Sequence, residues 1–167
     1  MGLVNEMKLV YANRILKNEY YQDQLHRLCE LEKDRIFCRH NMEHFLNVAR
    51  IAMILCGQKR IKLSADIIYS AALLHDIGRI QEYTDGIDHD IASQTTAAEI
   101  LDSIDCPREI SKKIISLIAG HRKTGLQPDT PEAIFSKADK LSRNCFECDA
   151  RSQCKWQKDK MYLEIEV

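Results

Sequence analysis

Proline is scarce in this chain, with three residues at positions 107, 128 and 131, and glycine and tryptophan are few, at six and one of 167 residues. No segment alternates apolar and polar residues at period two, so nothing reads as a half-buried strand; the apolar spacing is helical nearly throughout. Long hydrophobic runs are missing too. The longest uncharged stretch is about one short helix, around Ile67 to Leu74, far below the roughly 20 residues a bilayer span needs. Charge of one sign is also lacking: 24 Lys and Arg stand against 25 Asp and Glu, a net of -1. Such a balance gives no whole-protein field for nucleic acid or membrane. The N-terminus has no signal-peptide apolar region, and Glu6 stands where a myristoylation signal wants Ser or Thr. A cytoplasmic location is therefore expected. The seven cysteines, an odd count, then read as thiols or metal ligands and not as a secreted disulfide framework.

What is present is a succession of helices. A first is expected from Asn5 to Leu31, and a second from Asp34 to Cys56 with Gly57 as its C-terminal cap. A third starts at Ser64 and ends at Leu74-His75-Asp76-Ile77-Gly78, where Gly78 is expected in the left-handed conformation. A polar loop from Gln81 to Asp88 follows. Asp88 caps a fourth helix, His89 to Ser103; Pro107 opens a fifth that stops near Gly120-His121; and a sixth covers Glu132 to Arg143. The expectation is an all-α single domain of about six helices. An N-terminal helix (1–33) packs on a core (34–143), and a cysteine-bearing tail (144–167) packs on the same domain.

The chemistry centres on His75-Asp76. A buried His-Asp pair is costly unless something pairs it, and a metal ion is the simplest partner. Sequence neighbours on a helix point about 100° apart, so both reach one ion only where the helix ends. His44 shares a face with Val48, Ile51 and Leu55. His121 follows Leu117 and Ile118 on an apolar side, and Asp139 follows Phe135 by one turn. His89 opens a helix whose next residues look inward. His44, His75, Asp76, His89, His121 and Asp139 are thus six candidate ligands at helix ends or buried faces. Imidazole with carboxylate suits Fe, Mn, Zn, Ni or Co, and six protein ligands exceed one ion's need once open positions are kept. One or two divalent transition ions are expected.

The ordered series His44-Phe45-Leu46-Asn47-Val48-Ala49, His75-Asp76-Ile77-Gly78, His89, His121 and Ala138-Asp139-Lys140-Leu141 resembles the HD-domain metal-dependent phosphohydrolases over Cys38 to Arg143. The resemblance implies a first metal held by His44, His75, Asp76 and Asp139, and a second completed by His89 and His121 with Asp76 bridging. The version with both extra histidines is similar to bacterial hydrolases that split diadenosine tetraphosphate symmetrically. The doubled histidine of the cyclic-di-GMP phosphodiesterase branch is absent, since Gly120 and Arg122 flank His121. Implied chemistry is cleavage of a phosphoester or phosphoanhydride, in a nucleotide or small phosphate compound, by a metal-activated water. Catalytic roles then fall to His75, Asp76 and Arg79, and Arg79, Arg122 and Lys123 are candidates for phosphate contacts. No membrane partner is expected, there is no strong nucleic-acid signal, and the oligomeric state is left open.

Two rivals and one unabsorbed motif complete the reading. The same ligands suit a non-catalytic metal- or redox-sensing module. His40-Asn41-Met42-Glu43-His44 also fits H-x-x-E-H, the inverted zinc-peptidase pattern, with Glu43 as base. The tail carries Cys145-x-x-Cys148 and then Cys154, ligand-like spacing for a structural zinc ion or an iron–sulfur cluster. Cys38 can supply a fourth ligand if the tail folds back, and Asp149 or a histidine can substitute.

Overall fold

The computed structural model describes residues 9–167, all helix, turn and loop with no strand among them. Eight α-helices follow one another: α1 Val10–Leu16, α2 Glu19–Leu31, α3 Met42–Lys59, α4 Ala65–Leu74, α5 Arg79–Asp85, α6 His89–Ser103, α7 Arg108–Gly120 and α8 Pro131–Leu141. Three single-turn 3-10 segments, Cys145–Glu147, Arg151–Gln153 and Lys158–Lys160, make up the tail. No helix among the described residues is long and apolar enough to cross a membrane.

Helix α4 is the centre of the fold. Eight of its ten residues are buried, from Ala65 through Leu74, and α1, α3 and α7 pack around it. Small residues Ala71 and Ala72 let those neighbours approach closely, while Ile68, Leu73 and Leu74 fill the space between them. Helix α8 closes the bundle against α3 and α7, and α6 lies on α7. Asp66, in the first turn of α4, ties the N-terminal region down: its carboxylate accepts from the N–H groups of Tyr11 (2.9 Å) and Ala12 (2.8 Å). Those donors belong to the first turn of α1, which has no partners of its own there.

Several helix boundaries differ from the sequence expectation, each for a local reason. The single helix expected over Asn5 to Leu31 is two, and Asn5 to Lys8 lie outside the described residues. It breaks at Lys17-Asn18 because the Asn18 side chain accepts from the Tyr21 N–H and starts a new helix. The second expected helix begins at Met42 and not at Asp34, since Asn41 caps it by accepting from the His44 N–H. It also runs past Gly57 to Lys59 and ends on Arg60 in the left-handed conformation (φ 56°), so Gly57 is not its cap. The expected loop from Gln81 is largely α5, stopped by Gly86 at φ 71°. Gly78 is not left-handed. At φ -73° and ψ -2° any residue could take its backbone; what demands glycine is space, because a Cβ there would sit 2.2 Å from the Ser93 nitrogen and 2.5 Å from the His89 oxygen. Helix α6 matches its expected span, His89 to Ser103.

Candidate metal centre

The six candidate ligands reach one point from five places in the bundle. His44 comes from the first turn of α3, His75 caps α4, and Asp76 lies in the turn that follows. His89 opens α6, His121 caps α7, and Asp139 sits on α8. His44 is half-buried and the other five are buried. His75 and Asp76 converge because α4 ends between Leu74 and Gly78. The N–H of Ile77 donates to the Leu74 carbonyl and that of Arg79 to the Asp76 carbonyl, folding the chain tightly.

Asp76 divides the ligands into two sets. Its Oδ2 lies 3.0 Å from His75 Nε2 and 3.4 Å from His44 Nε2, and Asp139 Oδ1 is 3.6 and 3.5 Å from the same two nitrogens. Its Oδ1 lies 3.2 Å from His89 Nε2 and 3.9 Å from His121 Nε2. His44 and His75 place their Nε2 atoms 3.3 Å apart, as do His89 and His121. In each set the ligand atoms lie within 4.8 Å of one another.

The outer nitrogens explain why these atoms point inward. His75 Nδ1 donates to the Ala72 carbonyl (2.8 Å) and His121 Nδ1 to that of Ile118 (2.6 Å). His89 Nδ1 donates to Glu82 Oε1 at 2.9 Å. His44 Nδ1 meets Ser142 Oγ at 3.1 Å, while that hydroxyl donates to the Asp139 carbonyl at 2.6 Å. With every Nδ1 committed, all four Nε2 atoms are free to present lone pairs to the centre, the tautomer a metal ligand needs.

The electrostatics ask for a cation. Burial alone would lower His75, but Asp76 and Asp139 outweigh it and push its pKa up to about 10. Burial would raise both carboxyls, yet His75, joined by Arg79 at Asp76 and by Arg143 at Asp139, holds each well below the usual range. His121 goes the other way: burial, with the charge on His75 adding to it, lowers its pKa to about 4. Without an ion, a proton on His75 supplies the positive charge that two buried carboxylates require. Neutral imidazoles and paired carboxylates are the donor set for a divalent transition ion, and the residues present fit one in each half of the site.

A cavity of about 720 Å³ opens onto the centre, its lining including His40, Arg79, Glu82, His89, Arg122 and Trp156. Arg79 donates from Nε to Asp76 Oδ1 (3.0 Å) and from Nη1 to Glu82 Oε2 (3.0 Å), so it braces Asp76 as well as facing the cavity. Arg122 lines the cavity with an exposed guanidinium, 3.5 Å from Asp90. Lys123 is exposed and does not line the cavity.

Three supporting residues escape a sequence reading. Glu82 and Ser142 orient His89 and His44. Glu82 falls in a segment that reads as loop, although the left-handed Gly86 marks a helix end there. Buried Glu32 accepts from the His40 N–H (2.7 Å), from His40 Nδ1 (2.6 Å) and from the Tyr83 hydroxyl. Nothing in the spacing of Glu32 announces this. His40 itself is buried, with Nε2 3.8 Å from Asp76 Oδ2. It precedes α3, so His40 and His44 do not share a helical face, and Glu43 is exposed. The inverted zinc-peptidase arrangement is not formed.

An all-α bundle carrying two His/Asp clusters joined through one carboxylate defines a metal-binding helical domain of the histidine–aspartate kind. The HD domain family model matches residues 41–144, and the chain belongs to that family of metal-dependent phosphohydrolases. It is also 37% identical over 153 residues to a protein of Clostridium beijerinckii named only "Uncharacterized protein", covering 92% of this chain and 96% of that one. No solved structure matches the chain.

Proposed function

We propose that this protein is a dinuclear metal-dependent phosphohydrolase that cleaves a phosphoester or phosphoanhydride of a nucleotide or small phosphate compound. The observation that carries the reading is the split carboxylate of Asp76, one oxygen facing His44, His75 and Asp139 and the other facing His89 and His121. His44, His75, Asp76 and Asp139 would hold one ion, and Asp76, His89 and His121 the second. Bound there, the ions supply Lewis-acid charge that lowers the pKa of water and offsets charge on phosphoryl oxygens.

The chain's own residues provide the rest. Arg35, Arg79, Arg122, Arg143 and Lys155 all line the cavity, a cationic lining that suits phosphate. Phe37, Tyr83 and Trp156 line it too and offer apolar faces for a base. The volume lies within the range of small-molecule sites. His40 is the group placed to take up a proton: Glu32 holds its Nδ1–H, leaving Nε2 toward Asp76, and burial lowers its pKa against the pull of Asp76 and Glu32.

The test is phosphate or nucleotide release from a panel headed by dinucleoside polyphosphates, nucleotides and simple phosphomonoesters, with Mn, Fe and Co supplied in turn. Turnover that disappears in His75→Ala and Asp76→Ala, with helicity retained, supports the proposal. Two bound metals with no turnover on any member favours the regulatory reading.

A further inference from the structure

The cysteine tail is not used by the metal centre, yet it comes back to it. Cys38 lies in the loop between α2 and α3, more than a hundred residues from Cys145, Cys148 and Cys154. In the fold Cys38, Cys145 and Cys154 line the same cavity. Cys148 stands beside Cys145 through a tight turn, its N–H donating to the Cys145 carbonyl at 3.4 Å. Burial raises the pKa of the Cys38 thiol; Arg143 opposes the rise, and Cys145 and Cys148 add to it. None of the four is in a disulfide.

The tail has only sparse packing to hold its course. Residues 144–167 form no α-helix, and Ala150 is the single buried side chain among them. Ordering such a segment costs backbone entropy at every residue, set against the burial of Ala150, the partly buried Tyr162 on the core and the stacking of Arg143 on Trp156 (3.9 Å to the ring centroid). A bound metal group joining the tail to the Cys38 loop would supply the difference, as metal binding does in small metal-stapled domains.

The spacing bears on the kind of group. Tetrahedral zinc with bonds of about 2.3 Å needs sulfurs about 3.8 Å apart. Among the described residues the groups with ligand atoms within 4.8 Å are the two His/Asp sets, and no three cysteine sulfurs form one. A cluster interposes several irons and sulfides and accepts wider sulfur spacing. Three ligands from one short segment with a fourth from a remote one is also a recurrent cluster plan. Arg35, Arg143 and Lys155 line the neighbouring cavity wall and offset the charge of four thiolates.

We propose that Cys38, Cys145, Cys148 and Cys154 ligate an iron–sulfur cluster that staples the tail over the cavity. Lys155 and Trp156 directly follow Cys154, so the cluster fixes the wall that they form.

The experiment uses the full chain, purified without oxygen and reconstituted with ferric iron and sulfide in the presence of a thiol reductant, which together supply the mixed iron valences of a cluster. Iron, acid-labile sulfide and visible absorption are measured, with trypsin sensitivity of the Lys-rich tail alongside. The expected result is labile sulfide in near-equal amount to the cysteine-bound iron. It is lost in Cys38→Ser and in Cys145→Ser/Cys148→Ser, whose tails become readily cleaved, and retained in Cys106→Ser. His75→Ala keeps its sulfide, so the outcome does not depend on the phosphohydrolase reading. Absence of labile sulfide in the reconstituted wild-type chain overturns the proposal even if the variants misfold. So does a single sulfide-free zinc ion lost with the same cysteines, or sulfide that survives both variants.

Discussion

Replacing Gly78 by alanine perturbs the point where the α4 turn meets α6. The added Cβ would sit 2.2 Å from Ser93 N, 2.5 Å from His89 O and 2.6 Å from Ala92 C, all backbone atoms that cannot rotate aside. Ordinary contact begins near 3.4 Å, so the first turn of α6 must retreat by about 1 Å. Two things are lost with that movement. The Gly78 N–H donates to Ser93 Oγ at 2.9 Å, and His89, the first residue of α6, carries the Nε2 that sits 3.2 Å from Asp76 Oδ1. Metal–ligand distances tolerate about 0.2 Å, so the half of the site that uses His89 should lose its ion. The half made by His44, His75 and Asp139 lies on α3, α4 and α8 and should keep its own. Overpacking costs about 1–3 kcal/mol, and rigid backbone contacts place this case near the top of that range. For a chain of this size that is a fall of about 6–12 °C in Tm. Differential scanning calorimetry with elemental analysis of the purified variant reads both effects. A Gly78→Ala protein that melts like the wild type and holds two ions would refute the close-approach argument.

Three further outcomes follow from the same geometry. Glu82→Gln removes the carboxylate that fixes His89 Nδ1 and braces Arg79; affinity for the second ion should fall about 10–100-fold with the first unchanged, as read by metal titration. In chelated protein, His75 stands at about 10 against an ordinary 6.5, so the stability its proton confers is full below pH 6.5 and lost as pH rises toward 10. The Tm of the metal-free form should drop across that window while the metal-loaded form changes little, and parallel melts compare them. Glu32, held at about 2 against 4.5 because His40 outweighs burial, contributes stability above pH 4.5 that is lost as pH falls toward 2. Glu32→Gln should therefore destabilise the protein by about 1–3 kcal/mol at pH 7 and flatten its acid limb, measured by urea unfolding across pH.

The fold class and the six candidate ligands that the fold brings together were legible because both depend on patterns a chain displays openly. Apolar residues at helical spacing placed His44, His121 and Asp139 on inward faces, and the adjacent His75-Asp76 marked a helix end. Boundaries were less legible where a side chain, not composition, decides them: Asn18 and Asn41 start helices by accepting a single N–H each. The role of Gly78 could not be read at all, because its reason is the approach of α6 from fifteen residues further along the chain. Glu32, Glu82 and Ser142 share that limit. Each matters through a hydrogen bond to a histidine brought near by the fold, and a lone acidic or hydroxyl residue carries no mark of it.

The claim that one carboxylate joins two metal positions is tested most directly by calorimetric titration of Mn into the metal-free chain and its Asp76→Ala and His89→Ala variants. The wild type should bind two ions, His89→Ala one, and Asp76→Ala neither with appreciable affinity. An Asp76→Ala protein that binds as many ions as the wild type, as tightly, would contradict the shared-carboxylate site.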